Sequence, residues 1–504
     1  MLIPRRLNAL LLSSVISIAA FAQSATSGVP SPEKLSLDEA IQRALAKNFA
    51  IKVVGYDAAI AKARVTEALG KFDPELSGSY TYSESFNPAL VDTSTGLRGA
   101  TSYSKSDEYD VNVGGILPWG MTYRLGTNTT NTRGTFNAYA DNFSTFAGVS
   151  GTQPLLRNFG FGPTLASIRI AQVNRGISEW RFRQAVMDTI TRVIFAYNDL
   201  NFAHANLRSA TRSRDLAAQL LAENEKRFSV GNISEYDVTL ARSRVAFRQE
   251  NILFAEQQVR ETENALKQLI TDDRTPGLLS RHIAIEPPAP APVVVVDAAA
   301  DFRVALESRP DYQQARLALK REGINARLQR NQMLPRVDLV GSYGYNGYDS
   351  DLKVSRRQLR DEDYHAYSWG VVVSVPLTFT AERGRYRAAK MQQRQSETEL
   401  ERVEQEIVVQ VGNAAGQIET GLKRIQATRQ ARELAQATLD SDVKRLRAGV
   451  TTTFFVAQQQ ESLAIAEVRE AAAQSEYNKA LADYDRQLGL TLAKFNVNLE
   501  TPKR

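Results

Sequence analysis

The sequence predicts an α+β fold with an internal duplication, in which a helix–strand–strand–helix–helix unit occurs twice. Short motifs recur in the same order in both halves: GSYTY at 78–82 returns as GSYGY at 341–345, and KRFSVG at 226–231 returns as KRLRAG at 444–449. Segments of alternating polar and apolar residues, typical of strands, and long segments with apolar residues every three or four positions, typical of helices, occur in both halves.

The first 22 residues are expected to be an export signal that is absent from the fold. Arg5 and Arg6 precede an apolar run over 7–20, and Ala20-Phe21-Ala22 fits an A-x-A cleavage site. The run is too short for a membrane-spanning helix. The chain contains no cysteine, which excludes disulfides, thiolate metal sites and a lipidated N-terminal cysteine.

Each unit is expected to open with a helix, over 35–70 in the first and 302–333 in the second. Ser36 followed by Glu39 is a possible capping box at the first of these helices. Both helices meet a proline, Pro74 or Pro335, and alternating sequence follows immediately. These two prolines are therefore predicted to mark corners between helix and strand.

The returning strands are predicted over 143–153 and 368–375. In the second, Trp369, Val371 and Val373 share one face of the strand, which suits one apolar and one wet environment. Two-stranded ribbons of this length are rarely stable alone, so we expect pairing with other copies. Pro154 and Pro376 mark the corners at which these strands pass back into helix.

An additional hairpin is predicted in the first unit only. Alternating sequence at 109–113 and 121–125 flanks a turn signal at 117–120. The sequence leaves open whether this hairpin joins the sheet, giving six strands per chain, or stays outside it, giving four.

The longest helices are expected after Pro154 and Pro376. The apolar positions that define them, spaced three or four apart, are Val186, Ile190, Val193, Tyr197 and Leu200 in the first unit, and Leu400, Val403, Ile407, Val411, Ala414, Ile418, Leu422 and Ile425 in the second. A spacing near 3.5 marks helices that wind around neighbours. The stretch 381–447 would extend about 100 Å at roughly 1.5 Å per residue.

Both long helices are predicted to end at a glycine tip, Gly231 or Gly449, followed by a returning helix over 234–271 or 452–488. The predicted division of the chain is an export signal at 1–22, a first repeat at 23–272, a linker at 273–301, a second repeat at 302–490 and a C-terminal tail at 491–504.

No residue pattern supports catalysis, a cofactor or a metal site. His204, His282 and His365 have no partner at i,i+4, and the stretch 160–163 lacks the phosphate-loop pattern. The acidic run at 361–363 is expected to be a solvated loop, with bridging to divalent ions or lipid head groups as the alternative. The formal net charge of +6 gives no reason to propose nucleic acid. An enzyme is therefore the least favoured class.

Over its mature length the chain resembles the TolC-like outer-membrane efflux proteins. The resemblance depends on the duplicated unit, on QPLL at 153–156 and on the tip sequence at 230–238. It implies a homotrimer with a transmembrane β-barrel in outer-membrane lipid, continuing into a long periplasmic α-helical barrel. The implied function is a passive exit duct for substrates from an inner-membrane transporter of the RND or ABC type, delivered through a periplasmic adaptor protein.

The resemblance also assigns roles to the helical tips. The implied adaptor-docking residues are Val230, Gly231, Asn232, Ser234, Ala448, Gly449, Val450, Thr451 and Thr452. Some family members place aspartates six and nine residues after the second-tip glycine, where this chain has Phe455 and Gln458. The first tip keeps an acid, Asp237. The periplasmic mouth is therefore expected to be closed by Phe454 and Phe455 rather than by carboxylates, or these rings simply pack between helices.

Two further functions compete with the efflux duct. An exit duct for type I protein secretion would use the same tube, and the sequence does not separate the two. An exported coiled-coil protein without a pore predicts uninterrupted heptads and no alternating strands, so the aromatic strands at matching places in both halves argue against it.

Overall fold

The computed structural model describes residues 33–89, 94–99, 101–287, 293, 297–362 and 364–498. The expected export signal lies outside these residues. The helices are α1 Leu37–Lys47, α2 Phe49–Leu69, α3 Phe161–Thr164, α4 Ala166–Ser229, α5 Glu235–Ile270, α6 Ala298–Ser308, α7 Pro310–Gln332, α8 Leu352–Arg360, α9 Thr380–Arg447, α10 Thr453–Leu488 and α11 Thr491–Lys494. The strands are β1 Glu33–Leu35, β2 Glu75–Asn87, β3 Ser102–Ile116, β4 Thr122–Gly134, β5 Phe143–Pro154, β6 Ile283–Ile285, β7 Arg336–Asp349 and β8 His365–Ser374.

The opening helix of each unit is divided in two, which corrects the prediction of single helices. Between α1 and α2, buried Asn48 takes an extended conformation, accepts the N–H of Ala50 (2.8 Å) and donates to the carbonyl of Leu269 (2.9 Å). Between α6 and α7, Arg309 is extended because Pro310 follows it. In both places local side-chain or proline chemistry interrupts a helical apolar pattern.

The six longer strands form one antiparallel sheet in the order β2-β3-β4-β5-β7-β8. The additional hairpin, β3 with β4, lies inside this sheet between β2 and β5. The register is continuous from edge to edge: Tyr80 pairs with Tyr109, Val149 with Tyr343, and Tyr343 with Tyr367. Of the two strand numbers that the sequence left open, the structure therefore shows six.

Two long helical hairpins, α4 with α5 and α9 with α10, extend from the sheet, and α4 also packs against α10, α2 and α7. The predicted periodic positions form their cores. Val186, Ile190, Val193, Tyr197 and Leu200 are buried in one cluster, and Val403, Ile407, Val411, Ala414 and Ile418 in another. Burying each aliphatic side chain stabilises the fold by roughly 1.5–3 kcal/mol. These two buried clusters therefore determine how the long helices pair.

The expected linker contains structure that the sequence did not predict. β6 pairs in parallel with β1, joining segments about 250 residues apart. The hydroxyl of Tyr197 lies 3.0 Å from the carbonyl oxygen of Leu35 and 2.6 Å from that of Glu286, and burial raises the pKa of Tyr197 to about 12. Tyr197 therefore remains a hydrogen-bond donor that joins the small sheet to α4.

Arg309, at the break between α6 and α7, connects three helices of the second unit. Its guanidinium donates to both carboxylate oxygens of Asp311, to Gln410 and to Gln487, so it joins α7, α9 and α10. Burial favours protonation of Asp311, but the hydrogen bonds and charge of Arg309 outweigh it and hold the pKa of Asp311 below its ordinary value. Gly489, which ends α10, lies against the backbone of Ser308 and Arg309.

None of the helices in the described part of the chain is long and apolar enough to cross a membrane.

Candidate functional site: a two-faced sheet and two helical tips

One face of the six-stranded sheet, here called the apolar face, exposes hydrophobic and aromatic side chains along every strand. These are Leu76, Tyr80, Tyr82 and Phe86 on β2; Tyr109, Val111 and Val113 on β3; Leu125 on β4; Val149 on β5; Leu339 and Tyr343 on β7; and Tyr367, Trp369, Val371 and Val373 on β8. Trp369 is 78% exposed and Leu76 is 72% exposed. A patch of this extent is not stable against water and marks contact with lipid or protein.

The opposite face, here called the polar face, carries mainly small and polar side chains. Ser77 donates to Asn112 across the β2–β3 pair (2.8 Å), and Asn128 donates to Glu108 across the β3–β4 pair (2.9 Å). At the other edge of the sheet, the hydroxyl oxygens of Ser342 on β7 and Ser368 on β8 lie 2.8 Å apart. This face is therefore suited to water.

Both edges of the sheet end without a strand partner in the described part of the chain. β2 is 13 residues long and β8 is 10 residues long, and each exposes a row of backbone N–H and C=O groups. Free edges of this length are templates for pairing with another chain.

The two predicted tips have the same backbone geometry. Gly231 (φ +74°) and Gly449 (φ +76°) take the left-handed conformation, and a Cβ at either position would meet no atom within 4 Å. Asn232 donates to the carbonyl of Arg227 (2.8 Å), and Val450 donates to that of Arg445 (3.0 Å). These are the hydrogen bonds of a glycine-ended helix, as predicted.

Each tip exposes one valine among polar residues. Val230 is 68% exposed and Val450 is 67% exposed, next to the glycines and at the end of the molecule remote from the sheet. The other residues assigned to the tips, Asn232, Ser234, Ala448, Thr451 and Thr452, form the same two turns. Both predicted turns therefore lie at the ends of the helical hairpins, and their role in docking stays a prediction.

The two tips differ in how their returning helices begin. At the first, Ser234 accepts the N–H of Asp237 and Asp237 accepts the N–H of Ser234, both at 3.3 Å, which is a reciprocal capping box. At the second, Thr452 makes no side-chain cap, and Phe455 occupies the position of Asp237. Asp237 therefore has a structural role that the sequence analysis did not assign.

The aromatic pair at the second tip is half exposed. The rings of Phe454 and Phe455 lie edge to face with centroids 5.7 Å apart, and both side chains are about half accessible. The guanidinium of Arg244 on α5 lies 5.3 Å from the Phe454 centroid. Gln458, one turn further on, is also exposed.

Polar contacts between the two hairpins were missed by the sequence analysis. Glu467 on α10 accepts from Ser209 (3.0 Å) and Arg212 (2.7 Å) on α4, and Lys479 on α10 donates to Asp199 on α4 (2.7 Å). The spacing of residues along the sequence gives no sign of hydrogen bonds between side chains more than 250 positions apart.

The four predicted corners all lie where the sheet meets the helices. Pro74 and Pro335 directly precede β2 and β7, Pro154 ends β5, and Pro376 follows β8. The corner after β5 is fixed by the N–H of Leu155, which donates to the carbonyl of Val337 (2.7 Å). Across the residues that the structure describes, no group of three His, Asp or Glu side chains is placed to hold a metal ion.

Comparison with known proteins points to one family. A sequence model described as outer membrane efflux protein matches residues 119–271 and 302–490, which is more than half of the chain. Outer membrane efflux protein BepC of Brucella suis is 24% identical over 332 residues, covering 62% of this chain and 67% of that protein.

Solved structures with the same fold include three bacterial outer membrane proteins. The CmeC outer membrane channel of Campylobacter jejuni has a TM-score of 0.66 at 15% identity, with 90% of this chain and 86% of that chain covered. VceC of Vibrio cholerae has a TM-score of 0.66 at 17% identity, covering 90% and 96%. The open-state MtrE channel of Neisseria gonorrhoeae has a TM-score of 0.62 at 19% identity, covering 90% and 89%.

Proposed function

The chain belongs to the outer membrane efflux protein family, and from that premise we propose that it forms the exit duct of a tripartite efflux system. In this proposal a homotrimer spans the outer membrane and extends through the periplasm. Substrates pass through it after an inner-membrane transporter, of the RND or ABC type, has delivered them through a periplasmic adaptor.

The observation that carries the proposal is the placement of two opposite surfaces on one sheet. The apolar face suits lipid and the polar face suits a water-filled lumen, as in closed transmembrane sheets. The sheet continues directly into helices of 64 and 68 residues, about 100 Å long at roughly 1.5 Å per residue. This combination gives one chain a membrane segment and a periplasmic segment.

Trimer formation supplies the missing edge partners. Because β2 and β8 are both free, the β2 edge of one copy pairs with the β8 edge of the next, and the sheet closes without edges. Three six-stranded sheets give eighteen strands, a number at which such barrels leave an aqueous channel.

The proposal is tested by placing the same charge on either face of β4. Leu125 lies on the apolar face, and Asn128 lies on the polar face three residues later. Leu125→Arg is expected to reduce the trimer in outer-membrane fractions at least tenfold, because an arginine facing lipid costs about 2–4 kcal/mol in each copy. Asn128→Arg is expected to leave the amount of trimer unchanged.

Native mass spectrometry of the detergent-extracted protein measures the trimer, and planar bilayers measure its ion conductance. A soluble monomer that is absent from the outer membrane would contradict the duct. Equal loss of trimer with both arginine variants would contradict the assignment of the two faces.

We further propose that the periplasmic mouth is closed by the Phe454–Phe455 pair rather than by a carboxylate ring. Phe455→Asp would place one carboxylate per copy at this mouth. Micromolar hexaamminecobalt(III) is then expected to block the variant channel but not the wild type, because clustered carboxylates concentrate cations at the mouth. Phe247→Asp on α5 is the matched control. Block of the wild type at this concentration would contradict an uncharged mouth.

A further inference from the structure

The short helix α8 lies on the apolar face of the sheet, at the end remote from the helical hairpins. Ser355 is fully buried, and its hydroxyl is 2.7 Å from that of Thr145 on β5. A Cβ on Gly347 of β7 would lie 2.0 Å from the Ser355 carbonyl oxygen, so the helix rests directly on the strand. Thr145 and Gly347 are register partners and point to the same face as Val149 and Tyr343.

The position of α8 coincides with the level at which charged side chains begin to appear among the aromatic residues of the apolar face. The strand register connects Thr145 through β4 to Tyr109 and Tyr80, which belong to the exposed aromatic residues of this face. In the next row outward, Tyr82 lies beside Asp107, whose carboxylate pairs with Arg133. In a membrane, aromatic residues followed by charged ones mark the transition from hydrocarbon to head groups.

Four cations form a stripe along the outer side of α8. Lys353, Arg356, Arg357 and Arg360 occupy positions i, i+3, i+4 and i+7, and all four are exposed. Within the described part of the chain, Lys353, Arg356 and Arg357 form no ion pair, and Arg360 pairs only with its neighbour Asp361 (3.3 Å). This set of four residues is called the basic stripe below.

The acids of the same segment are held at the two ends of the helix. Asp351 accepts the N–H of Lys353 (2.8 Å), and Asp349 accepts the N–H of Asp351 (2.9 Å). Glu362 accepts from the hydroxyl of Tyr345 (3.2 Å). The middle of the helix is therefore left with uncompensated positive charge. Asp363, the last residue of the acidic run, lies outside the described residues.

We propose that the basic stripe binds the phosphate groups of anionic glycolipid in the outer leaflet. This inference depends on the proposed function, because it requires the apolar face to lie in the outer membrane. Guanidinium groups bind phosphate in a bidentate manner, and each basic residue near an anionic membrane surface strengthens binding appreciably. The buried side of α8 rests on the sheet, so the stripe is held at the head-group level.

Binding is measured by native mass spectrometry and titration of the full-length protein in detergent with purified lipid A. The variant Lys353→Gln/Arg356→Gln/Arg357→Gln is expected to bind lipid A at least about tenfold more weakly than wild type. The charge-conserving variant Arg356→Lys/Arg357→Lys is expected to bind lipid A more weakly than wild type and more tightly than the glutamine variant, because lysine keeps the charge but not the bidentate geometry. Removing the phosphates from lipid A is expected to weaken binding to the wild type by a similar factor.

The matched control removes three exposed charges from the opposite end of the molecule. Lys444→Gln/Arg445→Gln/Arg447→Gln, in the last turn of α9, is expected to leave lipid A binding unchanged. Equal binding by wild type and the α8 glutamine variant, or by phosphorylated and dephosphorylated lipid A, would overturn the proposal. Because titration does not require a trimer, a missing trimer or missing conductance would contradict the duct separately from the lipid result.

Discussion

At the scale of single residues, three glycines share a left-handed backbone but differ in their surroundings. Gly231 and Gly449 lie at open tips, whereas the Cβ position of Gly489 (φ +77°) is 2.7 Å from the backbone carbon of Ser308. The tips therefore need glycine for backbone conformation alone. The end of α10 needs glycine for the backbone conformation and for the close approach to the junction between α6 and α7.

This difference predicts unequal effects of alanine. Gly449→Ala is expected to cost about 1 kcal/mol of stability, from the left-handed conformation. Gly489→Ala is expected to cost about 3 kcal/mol or more, because the new methyl group also overlaps the backbone of Ser308 and Arg309. Apparent melting temperatures of the detergent-extracted variants measure both effects, and an equal fall would contradict the close approach.

The aspartate of the first tip shows how one residue type supports two interpretations. The family resemblance implies a place for Asp237 at the mouth, six residues after Gly231, and the structure shows its carboxylate in a capping box with Ser234. Its role at the mouth stays a prediction. The equivalent position in the second repeat, Phe455, lacks both the carboxylate and the cap.

At the scale of elements, we propose the two helical tips as the surfaces that dock the periplasmic adaptor. Each ends in a glycine turn with an exposed valine, and no contact inside the described chain explains these side chains. Exposed apolar residues at the end of a rigid hairpin are suited to a protein partner.

Charged tips are therefore expected to lose the adaptor. Val230→Asp combined with Val450→Asp is expected to reduce the adaptor recovered with the channel at least tenfold, because apolar anchors would become charged. The measurement is cross-linking in cells that carry the whole efflux system, followed by identification of the captured periplasmic protein. Leu279→Asp, at another exposed site, serves as control. Unchanged recovery from the double variant would place adaptor docking elsewhere.

At the scale of the whole molecule, the additional hairpin would set the width of the proposed membrane segment. β3 and β4 lie between β2 and β5, and their removal would bring β2 beside β5 with the correct antiparallel direction. A trimer without the hairpin would then have twelve strands in place of eighteen.

Deletion of residues 101–134 is therefore expected to narrow the membrane segment by about one third, since barrel diameter grows nearly linearly with strand number. Electron microscopy of trimers in nanodiscs, viewed along the channel axis, measures this width directly. The helical segment is expected to keep its length. An unchanged width would show that the hairpin lies outside the closed sheet.

Sequence patterns alone predicted the features that have a regular spacing or a local chemical signal. The alternation of residues along β8 and the spacing of three or four between apolar residues along α4 and α9 indicate which side of each element faces an apolar environment. This signal repeats along the whole element. Gly231, Gly449 and the four corner prolines act through their own backbone, so each was placed correctly. The duplication was visible because the same local signals recur in the same order.

The contacts between distant segments became visible in the folded chain and not before. The pairing of β1 with β6, the place of the β3–β4 hairpin, the contact of Glu467 with Arg212 and the seat of α8 on Gly347 join residues far apart in the chain. Such contacts depend on the relative positions of whole elements and leave no periodic trace in either partner. The sequence therefore predicted the elements and their exposed faces, and the packing of those elements decided which residues touch.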